Sequence, residues 1–185
     1  MKGSRFLARA FRADEEAAAD AALAGIRRRF HDATHHCWAF RIGPPEAALQ
    51  RLDDDGEPSG TAGTPILAAL EAADVRDALI VVTRWFGGTK LGTGGLAHAY
   101  GDAARAALDA APRRDVWLET LVLVDCAWSD VGAVEAVLAR EGERVRRCDR
   151  TFDPSPRFAA ALVRSRADAF REAIREATSG RARLG

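Results

Sequence analysis

Residues 84–95 read Arg84-Trp85-Phe86-Gly87-Gly88-Thr89-Lys90-Leu91-Gly92-Thr93-Gly94-Gly95. Glycine lets a backbone turn sharply and approach a ligand closely. Free N–H groups at the start of a helix attract anions. Arg84 and Lys90 flank the turn and could add charge. The expectation is a cradle for an anion, phosphate or carboxylate, or for nucleic acid, built from Arg84, Gly87, Gly88, Lys90, Gly92, Gly94 and Gly95. A tight structural turn is the alternative. The Walker pattern is absent, and Gly92-Thr93-Gly94-Gly95-Leu96-Ala97 fits GxGxxA over six residues only.

A second polar segment is Asp53-Asp54-Asp55-Gly56-Glu57-Pro58-Ser59-Gly60-Thr61-Ala62-Gly63. Its carboxylates could hold a hard divalent cation, although the EF-hand spacing is absent. They could also pair with Arg84 and Lys90 if the loops meet, or form a solvated acidic loop. A third segment is His31-x-x-x-His35-His36-Cys37, which holds three of the four histidines. On a strand His35 and Cys37 point one way and His36 the other. Zinc would need a further ligand such as His98. A Cys37 nucleophile would need a neighbouring base. A half-buried strand needs neither.

These segments must be positioned by ordinary elements. Residues 4–12 read as a strand. Asp14-Glu15-Glu16 opens a helix with an apolar stripe at Ala19, Ala22, Leu23, Ile26 and Phe30, closed by Arg27-Arg28-Arg29. Residues 35–42 form a strand, followed by a loop through Pro44-Pro45 and the acidic segment. A helix is expected over 64–73, a buried strand over 78–83 and a helix over 95–111. Pro112-Arg113-Arg114 marks a boundary. Beyond it the pattern is strand 117–126, helix 130–140, strands 143–152 and 156–164, helix 167–178 and a short strand 181–184. That β-α-β-β-α-β order is the ferredoxin-like plan. Arg144, Arg146 and Arg150 would share one strand face if no bulge intervenes, forming a secondary basic face.

Composition limits the partners. The chain has 185 residues, 48% hydrophobic and 29% charged, with 27 basic and 27 acidic groups. A disordered chain is excluded by this apolar share, and no run is long enough for a membrane helix. Zero net charge leaves polyanion binding to a local patch. Three scattered cysteines with no CxxC pair argue against a disulfide framework. The first 13 residues hold no continuous apolar signal region, so a cytoplasmic location is the expectation. Asparagine is absent and arginine supplies 25 of the basic groups, so arginine abundance is weak evidence of function.

Ser4-Arg5-Phe6, Ala33-Thr34-His35-His36-Cys37-Trp38-Ala39-Phe40, Asp54 to Leu67 and Val81 to Leu96 together resemble the IMPACT/YigZ family. Two departures occur: His98-Ala99-Tyr100 stands where the family usually has Arg-Ala-Tyr, and His36 where Asn is common. The resemblance implies an α+β protein: residues 1–113 as a β/α domain of the ribosomal-protein/GHMP-kinase type, then residues 114–185 as a smaller ferredoxin-like domain. The second domain resembles domain V of elongation factor G. The resemblance also implies a link to translation, with ribosome, RNA or a translation factor as partner. The resulting expectation is a cytoplasmic regulator that binds a polyanion through the glycine-rich loop. His35, Cys37, Asp54, Asp55, Glu57 and Ser59 would form the rim. No cofactor, metal, catalytic residue or membrane contact is assigned. The alternative is a metal-assisted hydrolase acting on a small phosphorylated or acyl substrate.

Overall fold

The computed structural model describes residues 3–185. Residues 1 and 2, with which the expected first domain begins, lie outside the described residues. The chain divides into two compact units, Met1–Arg113 and Arg114–Gly185. Both are α+β units built on four-stranded antiparallel sheets.

Unit 1 runs β1 (Arg5–Arg12), α1 (Glu16–Arg29), β2 (His35–Ile42), β3 (Leu49–Asp53), α2 (Gly63–Ala72), β4 (Ala78–Trp85) and α3 (Gly92–Ala110). The sheet order is β1-β4-β2-β3. β4 is central and apolar on both faces, which is why its sequence is a continuous β-branched run. Leu79 and Val81 meet Leu23 and Ile26 of α1, together with Phe40 and Ile42. Ile80 and Val82 face the other way, toward Ile66 and Leu70 of α2 and Leu96, Tyr100 and Leu108 of α3. Burying each such side chain stabilises by about 1.5–3 kcal/mol. Glu16 in the first turn and Arg27, Arg28 and Arg29 in the last turn suit the α1 dipole.

Two elements differ from the sequence reading. Leu49–Asp53 falls in the expected loop but pairs with β2. Its residues are all exposed, so no buried alternation marks it, and the free edge of β2 supplies its partner. α3 begins at Gly92 rather than near Gly95. Glycine disfavours helix intrinsically; here the buried stripe of Leu96, Tyr100, Ala104 and Leu108 anchors the helix that follows.

Unit 2 runs β5 (Glu119–Asp125), α4 (Val131–Glu141), β6 (Val145–Thr151), β7 (Arg157–Val163), α5 (Ala167–Ala177) and β8 (Arg183–Leu184). The order β6-β7-β5-β8 is the ferredoxin-like arrangement. Val122, Val124, Phe158, Ala160 and Leu162 of the sheet pack with Val134, Leu138, Phe170 and Ile174 of the helices.

The expected basic face does not form. Arg144 lies in the turn before β6. The register with β7 shifts between Val145 and Arg147, so a bulge falls at Arg146. Arg146 stands 4.0 Å from Glu119, whereas Arg150 donates to Glu135 of α4 at 2.7 and 3.0 Å. The bulge and these ion pairs separate the three arginines. No helix among the described residues is long and apolar enough to cross a membrane.

Candidate functional site

The acidic loop is held by its own carboxylates. Asp54 Oδ1 accepts from the backbone N–H groups of Ala62 and Gly63 at 2.9 and 2.8 Å, and Oδ2 accepts from Gly60 at 2.8 Å. These contacts satisfy amides at the start of α2. Burial would raise the Asp54 pKa, but the N–H donors of Gly60, Gly63 and Ala62 hold it below the ordinary carboxylate value. Asp55 adopts φ 45°, and its carboxylate accepts from the His36 amide at 2.7 Å and pairs with Arg27 at 3.0 Å. A Cβ at Gly63 would crowd the Asp53 backbone nitrogen and Leu52 Cβ at 3.1 Å, so β3 packs tightly over this position.

Glu57 is the centre of the arrangement. Its side chain is 4% exposed and forms an ion pair with Arg84. Tyr100 donates to Glu57 Oε1 at 2.7 Å, and His35 Nε2 lies 3.8 Å from the same oxygen. His35 Nδ1 is 2.7 Å from the Asp55 carbonyl. A carbonyl only accepts, so Nδ1 carries the proton. Arg84 also donates to Ser4 Oγ at 3.3 Å, and its guanidinium lies 5.5 Å from the ring centres of both Phe6 and Phe86.

Cys37 completes this buried network. Its thiol donates to the Asp54 carbonyl at 3.0 Å and lies 3.3 Å from Tyr100 Oη. Burial pushes its pKa up to about 12, and burial likewise raises the Tyr100 phenol. The thiol is therefore protonated at neutral pH and is not an activated nucleophile. Among the described residues, no three His, Cys, Asp or Glu side chains are grouped to hold a metal ion. The zinc group expected from the His31–Cys37 segment and His98 is therefore not assembled among the described residues.

The three polar segments do meet, but they meet inward. Arg84 is 4% exposed, so its charge is committed to Glu57 and is not displayed on the loop. That corrects its expected place in an open cradle. Cys37 and Glu57 are buried, His35, Asp54 and Asp55 are partly buried, and Ser59 is exposed. The expected rim is largely a hydrogen-bonded plug.

The glycine run has two parts. Gly87 is pressed against the Gly3 backbone, where a Cβ would collide. Its N–H donates to Ser4 Oγ at 3.2 Å. Gly88, Gly92 and Gly94 have open space where a Cβ would be, and Gly88 and Gly92 have φ of +84° and +74°. Leu91, the residue before α3, makes no side-chain capping bond. Lys90 is exposed and has no carboxylate partner among the described residues.

Sequence reasoning missed a basic cluster beside this run. Arg5 lies over the Trp85 ring at 3.9 Å. Arg9 and Arg29 lie 5.5 and 5.4 Å from the Phe30 ring centre. The Phe30 and Trp85 rings meet edge to face at 5.7 Å. None of these three arginines has a carboxylate partner among the described residues. Asp32 is the nearby acid, accepting from Trp85 Nε1 at 2.9 Å. The visible signals are the alternation Arg5-x-x-x-Arg9 on a strand and the run Arg27-Arg28-Arg29 at a helix end. Tyr100, the second missed residue, had no signal beyond its place in His98-Ala99-Tyr100.

The sequence profile of the Impact N-terminal domain matches residues 2–108. The chain belongs to the IMPACT family. A family member of Haemophilus influenzae is 34% identical over 182 residues, covering 98% of this chain and 87% of that one. The IMPACT family member YigZ of Escherichia coli is 38% identical over 141 residues, 76% of this chain and 69% of its own length. A solved structure described as a hypothetical protein superposes with a TM-score of 0.63 at 32% identity, covering 100% of this chain and 89% of that one. The IMPACT match falls within unit 1 and contains the Glu57 network and the glycine run.

Proposed function

We propose that this IMPACT protein is a translation-linked regulator that binds a polyanion, ribosomal or other RNA, along the glycine-rich edge of unit 1. The supporting observation is the cluster of Arg5, Arg9 and Arg29 on the Phe30–Trp85 pair, without carboxylate partners among the described residues. Most other arginines of the chain are ion-paired, so free guanidinium groups gathered at one place are a local positive patch in a neutral protein. Trp85 ends β4, and the glycine run with Lys90 leaves from that point. The exposed residues Gly92, Thr93 and Gly94 at the start of α3 place the positive end of its dipole there. The link to translation comes with the family resemblance.

Arg84 has a structural part in this reading. It holds Glu57, Ser4 and the root of the glycine loop together, while Arg5, Arg9, Arg29 and Lys90 make the contacts. The test is co-sedimentation with purified ribosomes across a salt series. Wild type should bind at low salt and be released as salt rises. The Arg5→Ala/Arg29→Ala/Lys90→Ala variant, folded by circular dichroism, should bind weakly throughout. Equal sedimentation of the variant and wild type would refute the proposed surface.

A further inference from the structure

A second arginine-rich place lies within unit 2, outside the IMPACT-matched residues of the sequence. An open cavity of about 280 Å³ is walled by the end of β5, the start of β7 and the start of β8, with Asp125, Ser155, Arg157, Arg181 and Arg183 among its lining. Arg181 donates to Asp130 at 3.1 and 2.6 Å, and that carboxylate is 4% exposed. Arg157 Nε stands 2.6 Å from Asp125 Oδ1. The contact is an ion pair without hydrogen-bond alignment, so this buried oxygen lacks an aligned donor. Arg183 has no carboxylate partner among the described residues. Three guanidinium groups therefore face two carboxylates. Ion pairing fixes two of them while leaving other N–H donors of each fork unused.

The same two chain segments carry an exposed aromatic pair. Trp128 follows the β5 end of the cavity wall, and Phe152 precedes Ser155 in the turn before β7. The two segments are tied by the Cys126 N–H donating to the Pro156 carbonyl at 3.1 Å. The Trp128 and Phe152 rings stack at 6.0 Å and 24°, yet they are 61% and 42% exposed. Phe152 rests edge-on against buried Phe158 at 6.1 Å. A flat aromatic surface is thus held in place and left open to solvent.

We infer that this end of unit 2 binds a nucleoside phosphate, with the base on the Trp128–Phe152 surface and the phosphate among Arg157, Arg181 and Arg183. The cavity lies near the roughly 300 Å³ lower limit of ligand pockets, so it suits the phosphate and sugar while the base stays outside. Aromatic stacking combined with arginine is the chemistry that binds single-stranded nucleic acid without sequence preference. The ligand is a free mononucleotide or an unpaired nucleotide of an RNA strand, since both present the same groups.

The test is titration of the full chain with AMP and, separately, with a labelled oligoadenylate at low salt. Tryptophan fluorescence and probe anisotropy are read together. Wild type should show quenching by at least one ligand. AMP alone sufficing identifies a mononucleotide site; quenching only by the oligomer identifies a strand site. Trp85 belongs to the surface proposed in unit 1, so the decisive quenching is the part that persists in Arg5→Ala/Arg29→Ala/Lys90→Ala; adding Trp128→Phe to that variant should abolish it but retain anisotropy-detected oligomer binding if the strand is the ligand, because a ring remains. Trp128→Ala and Arg183→Ser should each weaken binding about tenfold. Arg5→Ala/Arg29→Ala, which alters unit 1 only, should leave the Trp128 quenching in place even if ribosome sedimentation is lost. The inference is overturned if neither ligand quenches wild type, or if Trp128→Ala and Arg183→Ser leave binding unchanged when the unit 1 surface is already removed by Arg5→Ala/Arg29→Ala/Lys90→Ala.

Discussion

Tyr100 and Glu57 come from α3 and from the acidic loop, and the phenol of one donates to the carboxylate of the other at 2.7 Å. The same carboxylate holds Arg84 of β4. One buried charge pair therefore fastens a loop, a strand and a helix, and it explains why residues far apart in the chain act as one structural unit.

Removing the carboxylate should show this. Glu57→Ala leaves the Arg84 charge and the Tyr100 hydroxyl buried without their partner. The expected loss is about 3 kcal/mol of stability. Tyr100→Phe removes one hydrogen bond and should cost about 1 kcal/mol. Urea unfolding of the full chain measures both. Glu57→Leu/Arg84→Met should lose less than the sum of its single variants, because no charge is stranded.

Cys37 should resist alkylation. Burial keeps its pKa up at about 12, so almost no thiolate exists at pH 8. Iodoacetamide followed by peptide mass mapping should modify partly exposed Cys148 before Cys37. Denaturant should abolish the difference. Rapid modification of Cys37 in the folded chain would contradict the buried network.

Asp54 gives a pH dependence with a defined sign. Its folded pKa is depressed, so its contribution is present above the unfolded value of about 3.9. It is lost as pH falls through the lower folded value. Asp54→Asn should remove this part of the acid sensitivity and cost about 1 kcal/mol at neutral pH, because its amide nitrogen cannot accept from N–H groups that both carboxylate oxygens now serve. Stability curves between pH 2 and 6 test it.

Polyanion binding should divide the cations by exposure. Lys90→Ala should reduce the slope of log affinity against log salt by about 1 if Lys90 contacts one phosphate. Ser59→Ala, at the exposed tip of the acidic loop, should leave that slope unchanged. Heparin or ribosomal RNA titrations at several salt concentrations provide the comparison.

Element order was readable because periodicity changes at each boundary. The β4 run, the α1 stripe and the split pattern after Pro112 each carry a local signal. β3 carried none, because an exposed edge strand has no buried face to alternate. The site was readable only as a set of polar segments. Arg84 sits on a strand buried on both faces, and nothing local shows that its charge turns in toward Glu57 rather than out. Arg146 shows the same limit: a bulge is defined by the partner strand, so the shared face expected for Arg144, Arg146 and Arg150 could not be tested within β6.

The close passage of Gly87 over Gly3 has a practical consequence. Gly3 itself lies against the root of the glycine loop, so a bulky group attached at this residue would sit on that root. An amino-terminal affinity tag would therefore compete for the proposed polyanion surface, and a polyhistidine tag would add its own affinity for anions. Binding measurements belong on protein carrying its tag at the other end or none at all. By the same geometry, a fluorophore placed at Gly3 would serve as a local reporter of what docks on that loop.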